Sequence, residues 1–206
     1  MGETLNALSW LTIILSPDPM TVPNLLSLLR ILAVPFFAIA VWYGRMWEAC
    51  AIFAGAGLTD MLDGFIARRF NQKSDLGALL DPAADKLLMT TAFVLLAWRT
   101  ENMVAPIPPW VSILAITRDV MISFVALFGM HSDVKRLRPS ILGKLTTATQ
   151  LVAISLGLLI NAMGPRFWTP FVTPTVYYLV AVMVLASGIH YFFRSLQPPG
   201  EADGQV

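Results

Sequence analysis

Four aspartates, Asp60, Asp63, Asp81 and Asp85, fall within the stretch "TDMLDGFIARRFNQKSDLGALLDPAADK" (59–86) of a 206-residue chain that is 56% hydrophobic. A carboxylate in or beside a bilayer is costly, so a cluster of them there marks chemistry. Helical spacing places positions 60, 63, 64 and 67 on one face and 77, 81 and 85 on another. Two antiparallel helices with a short connector can turn those faces together and gather four carboxylates in one pocket. Such a set repels strongly in a medium of low dielectric, and divalent cations relieve the repulsion. Hard oxygen donors without His or Cys nearby select Mg²⁺ or Mn²⁺, with Ca²⁺ a further choice, over zinc or copper. A bridging carboxylate lets four side chains serve two ions.

Gly64 and Ala67 on the acidic face, and Gly77 on the partner face, remove bulk where an extended ligand would approach. Glycine within a helix costs up to ~1 kcal/mol relative to alanine, so two of them facing one pocket point to a need for room. Arg68 is placed to hold a phosphate at the rim. The plainer reading of any one of these residues is small-residue packing between membrane helices, with the acids paired to nearby Arg and Lys. That reading accounts poorly for the whole set.

The elements that must position these residues are apolar runs. Crossing the ~30 Å hydrocarbon core takes about 20 apolar residues in a helix. Six segments qualify or nearly do, at 25–43, 47–70, 82–98, 108–130, 141–163 and 170–193, with short connectors rich in Pro, Gly and charge. The fold class is therefore an all-α integral membrane protein, a six-transmembrane-helix bundle forming one domain over 1–206, with its core at 21–195 and a tail at 196–206. Residues 5–15, within the leading segment 1–20, carry Leu5, Leu8, Leu11 and Leu15 on one helical face and read as an interfacial helix.

An even number of spans puts both termini on one side, and basic residues in short loops identify that side as cytoplasmic. Arg68, Arg69 and Lys73 lie between the second and third spans, Lys135, Arg136, Arg138 and Lys144 between the fourth and fifth, and Arg194 after the sixth. The opposite loops offer only Arg45, Arg99 and Arg166. The aspartate cluster is accordingly expected at the cytoplasmic face of a multi-pass protein, with a bacterial inner membrane as the expected location.

Positions 60 to 85 read D-x-x-D-G-x-x-A-R, eight residues, G-x-x-x-D-x-x-x-D, which resembles the signature of the CDP-alcohol phosphotransferases without a departure. "PNLLSLLRI" (23–31) is similar to the segment that opens the first helix of bacterial members, and the six-helix organisation covers essentially the full chain. The resemblance implies a membrane enzyme of phospholipid synthesis that displaces CMP from a CDP-linked donor such as CDP-diacylglycerol with an alcohol. It further implies that Asp60, Asp63, Asp81 and Asp85 bind the metals, with Asp85 also the general base for the acceptor hydroxyl. Gly64, Ala67, Arg68 and Gly77, together with Asp60, would then line the CDP site. Asn24 is a weaker candidate for donor contact, with a helix cap as its alternative role.

The acceptor is read from the second half, where "ITRDVMISFVALFGM" and "KRLRPSILGKLTTATQ" place Arg118, Arg138 and Lys144 as candidate acceptor-phosphate ligands. The neighbouring Arg118 and Asp119 have bracing of the bundle as their alternative role. Phosphatidylglycerophosphate synthases of this family carry R-E there and a second arginine eight residues after the first, where this chain has Ala126. A phosphate monoester such as glycerol 3-phosphate carries nearly two charges and gains from bidentate arginine, whereas the diester of phosphatidylglycerol carries one. "RDVMI" and "RLRPSILGKLTTATQ" also resemble the CDP-alcohol type of cardiolipin synthase. Phosphatidylglycerol is thus the favoured acceptor and glycerol 3-phosphate the alternative. A divalent-cation transporter is the non-enzyme alternative, disfavoured because the acidic helices give no continuous polar path through the apolar spans.

Other features exclude or add little. The net charge of +1 gives no sign of a nucleic-acid partner, and Cys50, the single cysteine, rules out an intramolecular disulfide. His131 and His190 are too isolated to act as ligands. Related enzymes imply a homodimer among the membrane lipids.

Overall fold

The computed structural model describes residues 22–70, 75–98, 103–128 and 141–195, with side chains described at 25–62, 83–98, 103–123 and 141–191. Six α-helices and no strands are found among them: α1 Val22–Trp42, α2 Met46–Phe70, α3 Asp75–Ala97, α4 Pro109–Phe128, α5 Ile141–Met163 and α6 Thr169–Ser195. The leading segment 1–20 with its expected interfacial helix, and the tail 196–206, lie outside the described residues.

Five of the six expected segments agree with helices to within three residues at each end. The exception is the third, which starts at Asp75 rather than at Pro82. A proline lacks the amide hydrogen and is most at home in a first turn, which is why position 82 reads as a beginning. The longer helix puts positions 77, 81 and 85 on a single uninterrupted α3, as their spacing in steps of four requires.

Three of the described helices contain stretches long and apolar enough to cross a membrane, at Leu25–Trp42, Ile141–Met163 and Thr169–Tyr191. Among the described residues the expectation of membrane-spanning helices is met at these three. The α1 surface is unlike that of a soluble helix. Phe36 is 65% exposed and Trp42 58%, in line with Leu29, Leu32 and Ile39, all outward-facing. An exposed apolar stripe of this size is suited to lipid.

Helix α1 is the most extensively packed, lying against both α2 and α3, while α5 contacts α6, α2 and α3, and α4 contacts α6 and α3. Small residues bring these helices close: Ala40 on α1, Ala49 and Ala56 on α2 and Ala92 on α3 are all buried. Phe37 and Phe53 fill the α1–α2 interface with ring centroids 5.9 Å apart. The sharp α1–α2 turn follows from Gly44, whose φ of 71° is the left-handed conformation glycine adopts without steric cost. Gly44 N–H donates to the Val41 carbonyl at 3.0 Å and Arg45 N–H to that of Ala40 at 2.8 Å, which closes the helix with a Schellman motif.

The connection into α4 is held by a side chain rather than by a turn motif. Asn161 on α5 accepts from the amides of Val104 at 2.7 Å and Ala105 at 2.9 Å and donates to the Ala105 carbonyl at 3.2 Å. Tyr177 on α6 donates to the same carbonyl at 3.1 Å. Buried loop backbone would otherwise be unsatisfied there, so α5 and α6 together fix where α4 begins.

Candidate functional site

The site is built where α1, α2 and α3 meet. Asp60 projects from α2, and Arg30 of α1 donates from Nη1 to its Oδ1 at 2.6 Å. The arginine side chain is 1% exposed and the aspartate 52%, so a buried cation holds the inner oxygen of a carboxylate that opens to the outside. Asp60 Oδ2 has no partner among the described residues. Asp85 lies on α3 and is half-buried, and the charged side chains that act on it electrostatically are Asp60, Lys86, Arg30 and Asp119. The structure thus brings Asp60 and Asp85, from two different helices, into one charged neighbourhood.

The remaining candidate residues of this half are positioned only by their backbone. Asp63, Gly64, Ala67 and Arg68 lie on α2, Gly77 and Asp81 on α3 and Asn24 on α1, with their side chains outside the described residues. No group of three or more His, Cys, Asp or Glu arranged for a metal occurs among the described residues. The donor chemistry nonetheless fits a hard cation, because carboxylates on two helices packed against α1 act on each other electrostatically and one keeps an oxygen available.

A second charged cluster adjoins the first. Lys86, next in sequence to Asp85, pairs from Nζ with Asp119 Oδ2 at 3.0 Å, while Arg118 donates from Nη1 to Asp119 Oδ1 at 2.8 Å. Arg118 Nη2 donates to Ser187 Oγ at 2.8 Å and, at a long 3.5 Å, to the Gly143 carbonyl. Arg118 and Asp119 are both buried. Through them α3, α4, α5 and α6 are joined at one level of the bundle. Two cations share the Asp119 carboxylate, and Arg118 Nε has no partner among the described residues.

Lys144 is exposed on α5 with no ion pair among the described residues, and Arg138 lies outside them. Seven residues beyond Gly143, and so on the same face of α5, Gln150 is fully buried with neither amide atom partnered among the described residues. The polar seam that starts at Arg118 therefore continues along α5. His190 packs edge-on against Tyr191 with ring centroids 6.4 Å apart, as a residue of an aromatic belt would.

Arg30 and Lys86 are the residues that sequence reasoning passed over. Arg30 carried a usable signal, since a lone cation within an otherwise apolar helix requires a partner. Lys86 carried less, because a lysine following an aspartate in sequence is on a different face of the helix and its partner on α4 is visible only in three dimensions.

The comparisons with known proteins agree with this geometry. The family model described as CDP-alcohol phosphatidyltransferase matches residues 20–190. A protein of Shigella flexneri serotype 5b (strain 8401) named CDP-diacylglycerol--glycerol-3-phosphate 3-phosphatidyltransferase is 34% identical over 180 residues, covering 82% of this chain and 92% of its own length. A protein of the same name from Escherichia coli (strain K12) matches with the same identity and coverage. Members of this family generally use divalent metal ions, in keeping with the carboxylates on α2 and α3. With most of its length matched by the family model and by near full-length relatives, the chain belongs to the CDP-alcohol phosphatidyltransferase family and is one of its enzymes.

Proposed function

We propose that the protein transfers the phosphatidyl group of CDP-diacylglycerol to glycerol 3-phosphate. The observation that carries the acceptor is the activity in the names of relatives matched over 92% of their length. It reverses the order drawn from Ala126, which put phosphatidylglycerol and cardiolipin synthesis first. The physical reason for the reversal is Lys86. A cation missing at position 126 weighs less where Lys86 and Arg118 already gather at Asp119, because two cations from neighbouring helices suit a phosphate monoester of nearly two negative charges.

In this reading the acceptor hydroxyl oxygen forms a bond to the phosphorus that bears diacylglycerol. The bond from that phosphorus to the oxygen of the CMP phosphate breaks, and Asp85 takes the hydroxyl proton. Asp60, Asp63, Asp81 and Asp85 would hold Mg²⁺ or Mn²⁺, expected as two ions, which when bound neutralise the diphosphate and stabilise departing CMP. Asn24, Gly64, Ala67, Arg68 and Gly77, with Asp60, would line the CDP site. Arg118 through Nε, Lys144 and Arg138, together with Lys86, would receive the acceptor phosphate. All six helices would span the bilayer with the site at the cytoplasmic face, in agreement with the distribution of basic residues in the loops. A homodimer is the expected assembly.

The test is purified protein with labelled CDP-diacylglycerol, Mg²⁺ and a panel of acceptors, followed by analysis of the lipid product. Phosphatidylglycerophosphate from glycerol 3-phosphate, lost with excess chelator and restored by Mg²⁺ or Mn²⁺, is the expected result. Cardiolipin made from phosphatidylglycerol, with no product from glycerol 3-phosphate, would return the acceptor to the other choice. Full turnover in chelator with no metal retained would remove the ions.

A further inference from the structure

Arg30 stands on α1, the helix packed against both acidic helices, and reaches across a gap of thirty residues in sequence to Asp60. Placing a guanidinium at 2% residue exposure is costly, and the cost is offset only where its partners are well placed. Among the described residues its partner is Asp60, one of the four acids of the site. Arg30 takes the inner oxygen, Oδ1, and leaves Oδ2 without a partner among the described residues.

From this geometry we infer that Arg30 is a positioning residue for the metal-binding carboxylates, acting through Asp60. An unrestrained aspartate rotates about two side-chain bonds and shares its charge between two equivalent oxygens. A guanidinium fixed to Oδ1 removes that freedom and commits Oδ2 to face outward, as groups behind a metal ligand do when they orient it. The inference rests on the reading that Asp60 binds a divalent ion, and it gives α1 a part in the site that the aspartates alone do not reveal.

The sign of the effect separates orientation from plain electrostatics. A buried positive charge beside a cation site repels the ion, so its removal would tighten binding if charge were all that mattered. Orientation predicts the opposite.

The experiment measures Mn²⁺ affinity of the full chain in detergent by electron paramagnetic resonance, with no substrate present, for the wild type, Arg30→Gln and Arg30→Lys. Thermal unfolding is followed in parallel. Arg30→Gln is expected to weaken Mn²⁺ binding by about 10–100-fold. Arg30→Lys, which keeps the charge but not the planar fork, should weaken it by roughly 3–10-fold, and it carries the test by itself if the glutamine variant does not fold. In an Asp60→Asn background the Arg30 substitutions should have a much smaller effect, because the contact through which Arg30 orients the site is gone. Affinity equal to or tighter than wild type in either folded variant overturns the inference, as does an undiminished effect in the Asp60→Asn background. A wild type that binds no Mn²⁺ removes the metal reading and this inference together, whereas equal binding by all variants removes this inference alone.

Discussion

Lys86 and Asp119 face each other across the α3–α4 interface at 3.0 Å, one residue along from Asp85. Asp119 pairs with two cations, since its other oxygen accepts from Arg118 at 2.8 Å. Its loss therefore uncovers two positive charges.

Asp119→Asn is expected to destabilise the protein by about 3–5 kcal/mol, the range found when one partner of a buried ion pair is removed. Asp119→Glu, which keeps the charge and both acceptor oxygens, should lose much less. Thermal unfolding in detergent checks the pair, and equal midpoints for the wild type and the asparagine variant would show that Asp119 has no such role.

Asp85→Asn should abolish turnover while leaving appreciable affinity for CDP-diacylglycerol. The proton acceptor is gone, but Asp60 and the rest of the donor site remain. Single-turnover product formation and equilibrium binding of the donor separate the two effects. Near-normal turnover in this variant would exclude Asp85 as the base.

Gln150→Met should raise the unfolding temperature. Gln150 is fully buried with neither amide atom partnered among the described residues, and such a group costs about 1–3 kcal/mol against an apolar side chain of similar size. A fall in the midpoint would show that the amide is satisfied by a bound water or ligand in the working protein.

Gly157→Val should destabilise without changing either substrate's KM. A Cβ at Gly157 would stand 3.2 Å from the Tyr177 hydroxyl, which is tied to the Ala105 carbonyl, so the larger side chain displaces that contact. Overpacking of this kind costs about 1–3 kcal/mol. Gly157 is fourteen residues along α5 from Gly143, roughly 20 Å by helical rise, which keeps it clear of the Arg118 cluster. A shift in KM for glycerol 3-phosphate would contradict that separation.

The helices that carry the acidic positions were legible because those positions are written at helical spacing, 60 and 63 on one helix and 77, 81 and 85 on the next. Helix positions were legible where apolar runs end at Pro, Gly or charge, and α5 at Ile141–Met163 coincides with its expected bounds. The start of α3 was misplaced because Pro82 imitates a first turn. Partners across helices were not legible. Arg30 to Asp60 and Lys86 to Asp119 depend on which faces meet, and no local pattern records that. The acceptor named for the relatives was not the one favoured from the sequence for a related reason: Ala126 was weighed as one missing cation, when phosphate affinity depends on the sum of charges gathered from several helices.

The Lys86–Asp119 pair also sets an angular reference for the bundle. Each residue of an α-helix advances the side-chain direction by about 100°. One residue inserted into α4 between Pro109 and Asp119 would turn the carboxylate away from Lys86 by that angle, although every residue of the site was still present. Asn161 holds Val104 and Ala105 just before α4 begins, so the connecting loop has little slack to unwind the rotation. A length change within α4 ahead of Asp119 is therefore ruinous, because Asn161 and Tyr177 pin the chain just before the helix begins.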